Sequence, residues 1–295
     1  MPVLRAATRG SRLARAQTDR VAELLGVDVE PVVVETQGDR QAEVPIWAMG
    51  GRGVFVKEVQ AAVLDGRADF AVHSAKDLPS STPHGLAIAC VPERGDGRDA
   101  LVGGRFDELV PGARVGTGSV RRRAQLAWLR PDLTFGGLRG NMETRLSKAD
   151  GFAAIVVAAA ALERLGRSSE ITEVLPTEVM VPQVGQGALA VECREDDEDT
   201  WAALASIEHT PSRRAVEAER AWLGEIGGGC DLPVGAHATV ADDGRITLSA
   251  VLATPDGRVV VRDVADGDDP VEVGRRLARH LLDDAGGASL LADLR

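Results

Sequence analysis

Through the first two thirds of the chain, apolar runs of about five residues alternate with stretches of helical period, and nothing else restricts the fold as much. VLRAAT precedes a helical pattern over 11–25, and ADFAVH follows one over 54–65. ARVGTG, LTFGGL and FAAIVVAA precede helical patterns over 119–130, 141–149 and 159–165. Strands alternating with helices predict βαβ units and largely parallel sheets. LRAATRGSRLARAQ and RVGTGSVRRRAQL are similar strand–turn–helix units, which predicts two like α/β domains rather than one long sheet. The length of 295 residues agrees with two or three domains of about 150 residues or fewer.

After Thr210 the texture changes. Thr210-Pro211 reads as an N-cap with proline in the first turn, opening a helix whose Ala215, Ala218, Trp222 and Ile226 share a face and which ends in Gly227-Gly228-Gly229. ITLSAVLA and RVVVRDV read as strands joined by the hairpin turn Thr254-Pro255-Asp256-Gly257, and a helix follows from about Pro270 to Asp284. The acidic stretches Asp196-Asp197-Glu198-Asp199 and 266–269 read as solvated turns.

Charge excludes several functions. With 45 acidic against 34 basic residues the net charge is −11, which disfavours a general nucleic-acid or anionic-membrane partner. No segment has the pattern of a secretory signal or of a membrane span, so a cytoplasmic protein is expected. Cys90, Cys193 and Cys230 are far apart with no CxxC, and the histidines are scattered, so neither a disulfide framework nor a metal site is expected. There is no Walker loop and no nucleophile elbow.

Only Lys57, Lys76 and Lys148 are lysines; every other cation is an arginine, a fork suited to carboxylate and phosphate. Several arginines stand just past small-residue turns: Arg9 before Gly10-Ser11, Arg121, Arg122 and Arg123 after Gly116-Thr117-Gly118-Ser119, and Arg139 in Leu138-Arg139-Gly140-Asn141, with Arg145 one turn further on. Cations at helix N-termini oppose the helix dipole unless an anion joins them. Three arginine-bearing strand ends would converge on the crevice of a parallel sheet, which suits a ligand with several carboxylates or phosphates. Lys76-Asp77, in VHSAKDLPS, reads from its residues alone as an acid/base pair or a surface ion pair. Cys90 and Cys193 fall in strand patterns, whereas Cys230 is held in GGGCDLP, which makes it the candidate reactive thiol. These residues leave open an enzyme or a non-enzymatic carboxylate-binding protein of two lobes.

TRGSRLARAQ, GGRGVFVKE, ADFAVHSAKDLPS, ERGDGRDALV, VGTGSVRRRAQL, LRGNMETRL, VPQVGQGALAVECR and ERAWLGEIGGGCDLPVG, in this order, resemble the porphobilinogen deaminase (hydroxymethylbilane synthase) family from Arg5 to about Ala236. The resemblance implies a transferase that condenses four porphobilinogen molecules, with release of ammonia, into the linear tetrapyrrole hydroxymethylbilane. It implies a dipyrromethane cofactor in thioether linkage to Cys230 and a catalytic carboxylate at Asp77. It further implies carboxylate-binding roles for Arg9, Ser11, Lys76, Ser119, Arg121, Arg122, Arg139, Arg145 and Arg164, and a lid from Gly50 to Gly53 with Arg52 and the nearby Phe55. Arg12 stands where relatives often have proline, and Gln17 and Asp39 match polar positions near the site. The implied fold is α/β, with two type II periplasmic-binding-protein-like domains and a small α+β C-terminal domain. The boundaries expected are 1–95 with 186–207, 96–185, and 208–295, in a monomer.

Overall fold

The computed structural model describes residues 3–40, 53–227 and 232–292. The first stretch runs β1 (Leu4–Arg9), α1 (Arg12–Leu25), β2 (Val29–Val34), α2 (Gln37–Arg40), α3 (Lys57–Leu64), β3 (Phe70–Ser74) and β4 (Leu86–Cys90). The middle runs β5 (Asp99–Gly103), β6 (Arg114–Gly116), α4 (Val120–Leu129), β7 (Thr134–Gly136), α5 (Met142–Ser147), β8 (Ala154–Ala158), α6 (Ala159–Arg164) and β9 (Glu173–Leu175). Then come β10 (Leu189–Arg194), α7 (Glu198–Ala205), α8 (Thr210–Ile226), β11 (Val234–Val240), β12 (Ile246–Ala253), β13 (Val260–Gly267), α9 (Pro270–Arg279) and α10 (Gly287–Ala292).

Two five-stranded sheets share one topology, β2-β1-β3-β10-β4 and β7-β6-β8-β5-β9. In each, one strand runs against the other four: β10 in the first lobe, which returns only after the whole second sheet has been traced, and β5 in the second, which is the first strand of its own lobe. The strand–helix alternation predicted two like α/β units, and the type II periplasmic-binding-protein arrangement is the one the family resemblance implied. Pro31 is tolerated in β2 because that strand, among the described residues, is an edge paired with β1 alone. Phe70, Val72, Leu189 and Val191 form the core on one face of the first sheet, and Ala71, Val59, Val63 and Leu86 form it on the other, beneath α3. Cys90 and Cys193 are both buried in the first of these cores, in strands as expected.

The C-terminal unit is a three-stranded antiparallel sheet, β11-β12-β13, covered by α8 and α9 around the fully buried Trp222. The sequence pattern showed only the last two of these strands. Three local expectations change in detail. Helix α8 takes His209, not Thr210, as its N-cap residue. The helix expected over 270–284 is regular only to Arg279, as α9, and continues as a wider π-turn over His280–Asp284. Asp197 is not simply solvated, since its carboxylate caps α7 and pairs with Arg194.

The two lobes are joined by crossovers near residues 95 and 187, where Gly95 N donates to Gly187 O at 3.1 Å. Gly187 has φ +84°, and a Cβ there would stand 2.6 Å from Gly95 O, so only glycine allows the approach. The fully buried Glu219 of α8 fixes this knot to the C-terminal unit. It accepts from Arg94 Nη1 (2.6 Å) and Nη2 (3.2 Å), from Gly185 N (2.6 Å) and from Ala238 N (2.8 Å).

Candidate functional site

Side chains with chemistry gather where the parallel strands end, on the cleft between the lobes. Arg9 closes β1; Lys76 and Asp77 follow β3; Ser119, Arg121 and Arg122 follow β6; Arg139 follows β7; Arg145 lies in α5 and Arg164 ends α6. Strand C-termini and helix N-termini meet here, where backbone N–H groups favour an anion.

Each turn is built locally. Ser74 leaves β3 into one 3₁₀ turn, Ala75–Asp77, pinned by Ala75 N donating to Ala188 O at 3.0 Å, and so the crossover positions Lys76 and Asp77. Ser11, Ser119 and Asn141 cap α1, α4 and α5 by accepting from Ala14 N (3.2 Å), Arg122 N (3.4 Å) and Thr144 N (2.9 Å). In these caps the serine hydroxyls act as acceptors, so each O–H can still donate to a carboxylate.

The cations divide into two groups. Arg9, Arg121 and Arg122 are committed to protein carboxylates: Arg9 pairs with Asp39, and Arg121 and Arg122 share the fully buried Asp99 at 2.8 and 2.7 Å. Arg121 also donates to Val181 O (2.6 Å) and Arg122 to Val156 O (2.9 Å). Burial opposes ionisation of Asp99, yet the two guanidiniums hold its carboxyl well below the usual range. Arg139, Arg145 and Arg164, by contrast, form no salt bridge among the described residues. Arg145 Nε donates to Gly140 O (2.9 Å) and Arg164 Nη2 to Gly187 O (2.6 Å).

Crowding shows in their ionisation. Burial, with Arg122 and Arg139 nearby, lowers Arg145 to about 10, and burial lowers Arg164 to about 10. Burial and the charge of Arg122 lower Lys76 to about 8, although Asp77 and Asp99 oppose that shift. Among the described residues no donor occupies the Asp77 carboxylate, which lies within electrostatic reach of Lys76 and Arg145. A protein of net charge −11 thus concentrates cations around one carboxylate.

Arg9 also lies 4.2 Å above the ring of Phe55, which packs on Gly38 so closely that any side chain at 38 would overlap the ring. Phe55, Arg9, Ser11, Gln17 and Asp77 line one small cavity of about 50 Å³, with Gln17 Nε2 donating to Ser74 Oγ at 2.8 Å. The structure therefore brings together Arg9, Ser11, Lys76, Asp77, Ser119, Arg122, Arg139, Arg145, Arg164 and Phe55, while Arg121 is turned into the protein. Arg52 and Cys230 lie outside the described residues.

Sequence reasoning missed Asp99 and Gln186. The Gln186 amide joins the two halves of the cluster, accepting from Lys76 Nζ (3.3 Å) and Arg122 Nη2 (3.4 Å) while donating to Gly97 O (2.9 Å) and Asp99 Oδ1 (2.9 Å). Glycines on either side of it, in VGQGA, were the available signal.

Fold and site define a two-lobed α/β protein with a cleft suited to a polycarboxylate and one acid set among the cations. Residues 4–202 match the family model described as porphobilinogen deaminase, dipyromethane cofactor binding domain, and residues 213–283 match the porphobilinogen deaminase C-terminal domain. A porphobilinogen deaminase of Acidothermus cellulolyticus is 49% identical over 99% of this chain and 92% of its own length. Those of Brevibacillus brevis (45% identical, 98% and 96% covered) and Bacillus subtilis (40%, 99% and 96%) are similar over nearly the whole chain. Among solved structures, the ligand-binding component of an ABC-type import system from Staphylococcus aureus aligns at 13% identity over 76% of this chain and 74% of its own, with a TM-score of 0.37. The chain belongs to the porphobilinogen deaminase family: it is a transferase of tetrapyrrole biosynthesis that forms hydroxymethylbilane and binds a dipyrromethane cofactor.

Proposed function

We propose that Asp77 is the catalytic residue of this chain, that Cys230 carries the dipyrromethane in thioether linkage, and that the cleft cations bind the carboxylates of cofactor and growing product. The observation that carries this reading is the cation cluster around one available carboxylate. A dipyrromethane built from two porphobilinogen units has four carboxylates, and Arg139, Arg145 and Arg164, without salt bridges among the described residues, fit such a group. When bound, the cofactor supplies the terminal pyrrole to which the first substrate unit is joined. Loss of ammonia leaves the substrate cationic, and Asp77 stabilises that charge, accepts from the pyrrole N–H and takes up the proton displaced at each coupling. Lys76, Arg122, Arg139, Arg145 and Arg164 hold acetate and propionate groups, Ser11 and Ser119 donate to them, and Arg9 and Arg52 add to the cationic wall, while Arg121, turned away from the cleft, supports it from behind through Asp99. Phe55 and Arg52 belong to the lid.

Thiol chemistry supports Cys230. Burial pushes Cys90 up to about 12 and Cys193 up to about 11, so both are protonated and enclosed at neutral pH. The remaining cysteine is Cys230. We assign residues 1–95 with 186–207, 96–185 and 208–295 to three domains, in a cytoplasmic monomer whose small-molecule partner is porphobilinogen. Among the described residues, no helix is long and apolar enough to cross a membrane.

The test is the intact mass of the protein and of Cys230→Ala, both expressed in cells that make porphobilinogen. The native chain should be heavier by two pyrrole units and the variant should not. An adduct that survives in Cys230→Ala would move the attachment elsewhere. If the native chain stayed unmodified after incubation with substrate, the site reading would fail in favour of a carboxylate-binding protein.

A pH effect should accompany it. Lys76 loses its charge as pH rises through about 8, and a bound carboxylate raises that value, so binding is complete below pH 8 and weakens above it. The KM for porphobilinogen should climb above about pH 8 in the native enzyme and stay level in Lys76→Arg. Parallel profiles would exclude Lys76 as a carboxylate ligand.

A further inference from the structure

Arg12 begins α1, immediately after the Ser11 cap, and Glu143 stands in the first turn of α5 on the opposite lobe. Arg12 Nη1 lies 2.6 Å from Glu143 Oε1, across 131 positions of sequence. Among the described residues no other salt bridge joins the two lobes. The Arg12 side chain is 74% exposed and that of Glu143 36%, so the pair spans the mouth of the cleft rather than its floor.

The two partners are not equally content. A carboxylate in the first turn of α5 is favoured by the helix dipole, whereas a guanidinium in the first turn of α1 is opposed by it and needs an anion. The anion that Arg12 now holds is a carboxylate, the same group the substrate carries. It is held through one nitrogen of a fork that can grip a carboxylate with two. An exposed pair of this kind contributes little to stability, so an incoming carboxylate can compete for it.

We propose that Arg12 is a further substrate-binding residue, restrained by Glu143 until a porphobilinogen carboxylate displaces that side chain, and that this exchange releases the two lobes at the cleft mouth. The inference rests on the proposed function, because it takes the cleft as the porphobilinogen site. Arg12 adds a capture point in front of the deeper cations, on the same turn as Arg9 and Ser11. Since Glu143 belongs to the other lobe, binding and opening become one event. The latch also gives the cleft a way to widen as the chain of pyrroles lengthens.

The experiment compares Arg12→Gln, Glu143→Gln and the double variant, each as cofactor-loaded enzyme with its intact mass recorded first. Arg12→Gln should raise the KM for porphobilinogen by about twofold to fivefold, with the effect on KM rather than kcat. Glu143→Gln should lower KM by a similar factor, because Arg12 is then free beforehand. The double variant should match Arg12→Gln instead of averaging the two. Small-angle X-ray scattering should show the same increase in radius of gyration for all three. A Glu143→Gln enzyme whose KM is unchanged or raised would overturn the exchange and leave the pair as a brace. If the native protein lacks the two-pyrrole adduct, the proposed function itself fails; if the adduct is present and KM does not respond, only this inference does.

Discussion

Asp77→Asn is expected to lower turnover by a factor on the order of 10³ or more while leaving the fold and the attached cofactor in place. The substitution keeps the shape of the side chain and removes its charge and its ability to take a proton. Among the described residues no hydrogen bond from the protein depends on that carboxylate, so the 3₁₀ turn, pinned through Ala75 N, should survive. On the proposed reading, what disappears is the anion that faces the substrate cation amid Lys76 and Arg145. Without it those positive charges oppose the reaction. The check is the rate of hydroxymethylbilane formation beside an intact mass; an adduct-bearing Asp77→Asn enzyme with near-native turnover would remove Asp77 from the chemistry.

Asp99→Ala is expected to be the most destabilising substitution at the site, costing about 3–5 kcal/mol. It leaves Arg121 and Arg122 buried side by side with no carboxylate between them and deprives the Gln186 amide of an acceptor. A loss of that size is a large part of the 5–15 kcal/mol typical of a folded protein. Because the Asp99 carboxyl is held below its ordinary value in the native state, its contribution is complete at neutral pH and declines only as pH falls below about 4, where the unfolded chain begins to bind the proton. Urea unfolding at pH 7 should show the full loss, and the gap between native and variant should narrow towards acid. A loss under about 1 kcal/mol would mean that water or rearrangement solvates the two arginines after all.

The parts of the fold legible in the sequence were those governed by near neighbours. The helices expected over 11–25, 119–130 and 141–149 lie within a few residues of those bounds, with Ser11, Ser119 and Asn141 as their caps. Gly257 at the hairpin and Gly227 after α8 both adopt positive φ, as turn and C-cap glycines do. Short or edge strands such as β2, β9 and β11 were not legible, because three to seven residues without clean alternation carry little periodic signal. In the site, arginines at strand ends were visible because a cation at a helix N-terminus is locally misplaced. That Arg121 is consumed by Asp99 was invisible: the pair is 22 residues apart and meets only once β5 has paired with β8 in the second sheet. Glu219, Arg94 and Gln186 act on segments far away in sequence, which no local pattern records.

The late return of β10 has a consequence for the order in which a ribosome can deliver a finished protein. β10 lies between β3 and β4, so the first sheet has a missing interior strand until residues 189–194 have been synthesised. The second sheet needs nothing beyond residue 175. The lobe that begins first on the nascent chain is therefore completed second. Until then the apolar edges of β3 and β4, in the stretch that ends in Cys90, wait unpaired, and that interval is when the newly made chain is most exposed to aggregation.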